Sequence, residues 1–274
     1  MQSANATSRM KVIDAHAHIF PEKIAEKATE SIGEFYGMKM SGEGSSRRLI
    51  AEGEKIGVSR YLVCSTATRP AQVPAINQFI ADECEKHPEF VGLGTVHQDT
   101  ADKLSELETI RSYGLVGLKL HADFQGVNID DQRYFPVYAY CERAGMPILF
   151  HCGDDRTDFS HPRRVYAVCE RYPGLNVIAA HLGGYTVWAE GIRILLECAN
   201  VYTDTCSSLA LLEPAFAVEL IRAFGVDRVF FAVDFPMWLH SEEWERFQRL
   251  GLTEQEQRKI CSENLERLIP AFAR

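Results

Sequence analysis

Residues 12–18 read Val12-Ile13-Asp14-Ala15-His16-Ala17-His18. The opening is apolar and β-branched, which suits a strand, and the end carries two histidines. No glycine follows in the next turn of chain. An open, doubly wound parallel sheet normally leaves its first strand through a glycine-rich phosphate-binding turn. The absence of that turn points to a closed sheet whose strand ends carry side-chain chemistry.

Seven more runs of this kind follow, at 60–64, 91–96, 116–121, 147–151, 177–181, 201–204 and 229–234. Amphipathic stretches predict helices between them at 71–86, 101–113, 134–144, 163–171 and 214–224. Gly57, Gly114, Gly145 and Gly225 stand where a helix stops and a strand begins. Continuous apolar strands alternating with helices mean a parallel sheet covered by helices. Eight such units in about 250 residues predict a single (β/α)8 TIM barrel, an α/β fold. Residues 37–46 read as a long loop, and 253–269 as a closing helix with Thr253 and Glu256 in a capping box. Residues 1–11 read as a loose tail without signal-peptide shape, and 12–274 as one barrel domain.

The chain has 274 residues, 46% of them hydrophobic and 24% charged, which excludes a mainly disordered, collagenous or coiled-coil protein. Its net charge is −9, and no basic run exceeds the pairs Arg47-Arg48 and Arg163-Arg164. That argues against nucleic acid and against a membrane surface as partners. No apolar stretch approaches the roughly 20 residues that span a bilayer. Eight cysteines are spread without a CxxC pair, the pattern of reduced thiols in a cytoplasmic protein. The exposed barrel helices allow a homodimer.

The chain has nine histidines, and five of them (His16, His18, His121, His151 and His181) fall at strand ends. Strand 8 ends in Asp234. In a parallel barrel all these ends meet at one rim, where barrel active sites lie. Residues two apart on a strand share a face, so His16 and His18 aim at one point. His151 and Asp234 add a third nitrogen and a carboxylate. That donor set suits a divalent metal, zinc first, then manganese, iron or nickel.

These residues resemble the amidohydrolase superfamily. The narrower resemblance is to its amidohydrolase-related branch, which includes aminocarboxymuconate-semialdehyde decarboxylase. The pattern is carried by residues 14–18, the single histidines closing strands 5 and 6, and Asp234-Phe235-Pro236. Gly117-Leu118-Lys119-Leu120-His121, Ala180-His181-Leu182-Gly183-Gly184 and residues 263–268 are similar too. The resemblance implies that His16, His18, His151 and Asp234 hold one metal. It gives Asp234 the role of proton acceptor, and His181 that of acid/base or, in a binuclear site, ligand. The chain departs from binuclear members at strand 4, where it has Lys119 and His121. A carboxylated bridging Lys119, structural packing of both, and a pocket contact to an anionic substrate all stay open. Arg156, Phe20 and Trp238 are further candidates for binding a small-molecule substrate. The expected activity is metal-dependent hydrolysis of a small amide, lactone or ester, because the chain is short for the decarboxylase members. The alternatives are non-oxidative decarboxylation on the same scaffold and a non-catalytic metal-binding barrel.

Overall fold

The computed structural model describes residues 10–273. The tail expected at 1–11 therefore falls outside the described residues for its first nine positions. Eight parallel strands follow one another in chain order around one ring. They are β1 (Val12–His18), β2 (Val58–Cys64), β3 (Phe90–Gly94), β4 (Gly117–Leu120), β5 (Ile148–Phe150), β6 (Val177–Ala179), β7 (Val201–Asp204) and β8 (Val229–Phe230). Each pairs with the next.

The expected eighth strand, 229–234, is a regular ladder only over its first two residues. Beyond them the chain changes partner and closes the ring against β1. Ala15 N–H donates to Phe231 O at 3.0 Å, Asp234 N–H to His16 O at 2.9 Å, and His18 N–H to Phe235 O at 2.7 Å. Asp234, the last of the expected strand residues, takes a left-handed φ of 61°.

The helices are α1 (Ala25–Tyr36), α2 (Ser46–Glu54), α3 (Val73–Lys86), α4 (Lys103–Ser112), α5 (Ala122–Gln125), α6 (Phe135–Ala144), α7 (Pro162–Arg171), α8 (Trp188–Leu195), α9 (Pro214–Phe224) and α10 (His240–Gln248). Local chemistry sets their ends. Ser45 and Asp102 cap α2 and α4 with side-chain oxygens. Proline opens α7 and α9. Gly37 and Gly145 close α1 and α6 in the left-handed conformation. Strand faces alternate as the period of two requires. Leu62, Leu93, Leu149, Ile178 and Phe230 pack together with Leu265, Ile269 and Phe272. Val63, Leu118, Phe150, Val177 and Val229 pack in the larger cluster, which holds the buried faces of the helices.

Two further expectations need correction. The closing helix over 253–269 is interrupted: α11 (Glu254–Arg258), with its Thr253–Glu256 capping box, passes through a π-helical turn at Lys259–Glu263 into α12 (Asn264–Leu268). The Ile260 carbonyl in that turn accepts from Phe231 N–H at 2.8 Å, so the widened turn ties the helix to the barrel. The loop expected at 37–46 stops at Ser45, because Ser46 already begins α2. It is also tied down, with Ser41 N–H on Met237 O at 3.2 Å and Gly42 N–H on Pro236 O at 3.0 Å. That places it across the end of the eighth strand. All eight cysteines are free. Among the described residues, no helix is long and apolar enough to cross a membrane.

Candidate functional site

The strand-end residues converge at one rim. His16 Nε2 lies 3.2 Å from His18 Nε2, and Asp234 Oδ1 lies 3.2 Å from His18 Nε2 and 3.7 Å from His16 Nε2. A tetrahedral ion bound at 2.0–2.2 Å holds its donor atoms about 3.4 Å apart, so this triangle has the dimensions of a metal site. Beside it, His151 Nδ1 and His181 Nε2 face each other at 2.9 Å. His16 Nδ1 is 3.0 Å from Asp204 Oδ2, a carboxylate contact that turns Nε2 toward the triangle. Cys206 also touches His16 and His181, at 3.2 and 3.1 Å, within clusters of metal-type donors. Burial, with Asp204 and Asp234 next in effect, pushes its thiol well up.

The charge states follow from burial and neighbours. Burial, then Lys119, pushes His16 down to about 4. Burial likewise lowers His121, His151 and His181. Burial also opposes charge on His18, but the Cys64 thiol and the Asp234 carboxylate push it up to about 9. Burial opposes charge on Asp234 as well, yet the facing imidazoles of His16, His18 and His181 hold it well below the usual carboxylate range. The set is mostly neutral imidazole plus an ionised carboxylate, the form that binds a divalent ion; His18 must release its proton for that.

Lys119 Nζ lies 2.9 Å from His16 Nε2. Nζ therefore occupies the lone pair that an ion at His16 would need, and it would have to swing aside for one to bind there. His121 stacks between Phe124 and His151, with centroids 3.7 and 4.0 Å away, and Tyr36 Oη lies 2.9 Å from its Nε2. Lys119, His121, His18, His151, His181 and Asp234 all line one buried cavity of about 30 Å³. Ile32, Tyr36 and Met40 close it from α1 and its following loop. A larger groove of about 760 Å³ lies between α1 and the loop after it, and none of the strand-end histidines lines it.

The other sequence candidates lie outside the cavity lining. Arg156 grips Asp154 through two nitrogens, at 2.9 and 2.6 Å. It also donates to Phe35 O at 2.6 Å and stacks over Phe35 and Tyr36. Phe20 backs against Gly44 under the loop. Trp238 Nε1 donates to Ser207 Oγ at 3.0 Å, and Ser207 in turn donates to Asp234 Oδ2 at 2.5 Å. The sequence pointed to neither Tyr36 nor Ser207, since an aromatic in a helix and a serine in a loop carry no periodic signal. Non-glycine left-handed φ values gather here, at His181 (63°), Ser207 (51°) and Asp234 (61°). Such strain persists where surrounding structure holds it, and it clusters at working sites.

Residues 13–270 match the amidohydrolase family model, and the chain belongs to that family. Among individual proteins, it is 30% identical over 195 residues to a 2-amino-3-carboxymuconate-6-semialdehyde decarboxylase of Dictyostelium discoideum. The match takes in 63% of this chain and spans half the length of that relative. An uncharacterised TIM-barrel protein of Bordetella bronchiseptica superposes with a TM-score of 0.79 at 21% identity, over 97% of this chain and 100% of its own. A 5-carboxyvanillate decarboxylase of Novosphingobium aromaticivorans, complexed with manganese and 4-hydroxy-3-methoxy-5-nitrobenzoic acid, does so with 0.72 at 16% identity, over 97% and 96%. At these identities the two structures speak for the fold.

Proposed function

We propose that this chain is a metal-dependent, non-oxidative decarboxylase of a small carboxylic acid. The observation that carries the reading is the buried Lys119 ammonium set against the donor triangle of His16, His18 and Asp234. A cation there neutralises a substrate carboxylate beside the metal. Similarity to the Dictyostelium decarboxylase supports this over hydrolysis, the expectation that rested on chain length.

His16, His18, His151 and Asp234 would hold the metal, with manganese or zinc the ions we would load first. When bound, it supplies a Lewis acid that draws electron density toward a substrate oxygen. Lys119 and His121 hold the anionic end of the substrate. The carbon–carbon bond to the carboxylate breaks, carbon dioxide leaves, and the electron pair stays on carbon until a proton replaces it. We place that proton at His181 Nε2, which lines the cavity and takes up a proton from solvent in each turnover, whereas Asp234 is ionised with its Oδ1 in the donor triangle. Burial of the site excludes bulk water from competing for the carbanion-like centre.

The test is product analysis on manganese- and zinc-loaded protein, given hydroxybenzoates, carboxylated muconate-type acids and a parallel set of lactones and amides. Carbon dioxide release with uptake of one proton per turnover is expected. Water addition to a lactone or amide, with no carbon dioxide from any acid, would overturn it.

A further inference from the structure

Helix α1 carries into the cavity a side chain that no strand-end pattern supplies. Tyr36 is the last residue of α1, and its hydroxyl lies 2.9 Å from His121 Nε2. Its ring sits among those of His121, His151 and Tyr185, at 6.4, 6.1 and 5.8 Å. The cavity it closes holds about two waters and no substrate of six or more heavy atoms. Admitting a substrate means lifting α1 and its loop, and that parts Tyr36 from His121. Beyond the imidazoles, the polar groups then left facing a ligand are Lys119 Nζ, Tyr36 Oη and Asp234. The rest of the lining is Ile32, Met40, Phe124, Pro236 and Met237.

We propose that Tyr36 is a substrate-binding residue that donates its hydroxyl to the substrate's carboxylate, opposite Lys119, and thereby selects acids over neutral molecules of the same shape. In the closed state His121 Nδ1 accepts from Phe124 N–H, so the neutral ring donates its Nε2–H to Tyr36 Oη and leaves the phenol proton for a ligand. A carboxylate oxygen is a strong acceptor for that proton, because a charge-assisted bond is roughly twice as strong as a neutral one. Burial, with Asp234 and Asp123 next in effect, pushes the Tyr36 phenol well up, so it remains a donor at working pH. The inference rests on the reading above for the identity of the acid, while its test reads binding alone.

Manganese-loaded protein is titrated by calorimetry with benzoate and, as the neutral counterpart, benzyl alcohol. Tyr36→Phe keeps the ring and loses the hydroxyl. The variant is expected to bind benzoate about tenfold more weakly, bind benzyl alcohol within about twofold of the parent, and keep its manganese stoichiometry. Unchanged benzoate affinity in Tyr36→Phe would overturn the proposal, as would equal loss of both ligands or no benzoate binding by the parent. If no acid yields carbon dioxide while Tyr36→Phe still loses benzoate selectively, this inference stands and the decarboxylase reading falls.

Discussion

His16 reaches the site through a partner 188 residues away, Asp204, whose carboxylate meets Nδ1 with both side chains fully buried. The contact sets which nitrogen faces the metal position. Asp204→Asn should therefore weaken metal affinity about 10- to 100-fold with the barrel intact, measured by chelator competition. Asp234→Asn should lower turnover at least 100-fold while leaving the melting temperature of the chelator-treated protein nearly unchanged, because it alters a proposed ligand atom but not packing. A further test concerns Glu243, which lies against Arg246 at 2.5 Å and whose Oε2 finds no hydrogen-bond partner among the described residues. Burial pushes its carboxyl up to about 8. The folded state then holds a proton that the unfolded chain has released above 4.5, so stability falls as pH rises from about 4.5 to about 8. Glu243→Gln should flatten that part of the profile. Denaturant melts at pH 5.5 and 8.5 would show the parent losing on the order of a few kcal/mol more than the variant.

Helices and loops place what the strands cannot. Helix α1 sits over the rim because its last turn is clasped from outside by Arg156, which stacks 4.7 and 5.0 Å from the ring centres of Phe35 and Tyr36. The planar fork of arginine does this while gripping Asp154, and a lysine could not do both. In Arg156→Ala and Arg156→Lys alike, amide exchange over 25–45 should speed up about tenfold, while that of the strands stays unchanged. Equal protection in the parent and both variants would remove Arg156 as the clasp. Glycine is required where the loop after β5 passes the β6 loop. Gly153 has φ 87°, and a Cβ there would lie 2.5 Å from Tyr185 N. Gly153→Ala should cost about 1–3 kcal/mol in denaturant melts, since both backbone strain and a backbone clash oppose it.

At the scale of the whole molecule, the barrel brings eight separated strand ends to one rim, and a bound ion would tie several of them together. Removing it with a chelator should lower the melting temperature. An ion at 1,000 times its Kd stabilises by about 4 kcal/mol. Scanning calorimetry before and after chelation, with manganese and then zinc added back, checks this. An unchanged melting temperature would mean that the donor triangle holds no ion in the purified protein.

What the sequence by itself determined follows from periods that act over a few residues. Alternation along β1 put His16 and His18 on one face, apolar runs marked the strands, and parallel direction collected their ends. The family's residues lie at those ends, so the rim was legible without coordinates. Three lining groups from α1 and its loop, the Asp204–His16 contact and the Arg156 clasp were decided only by tertiary structure. Tyr36 and His121 stand 85 residues apart, and Arg156 and Phe35 stand 121 apart. Neither local pattern nor helix propensity specifies such pairs. They arise because α1 crosses the mouth of the barrel, where its last residues meet groups from the end of β4 and from the loop after β5.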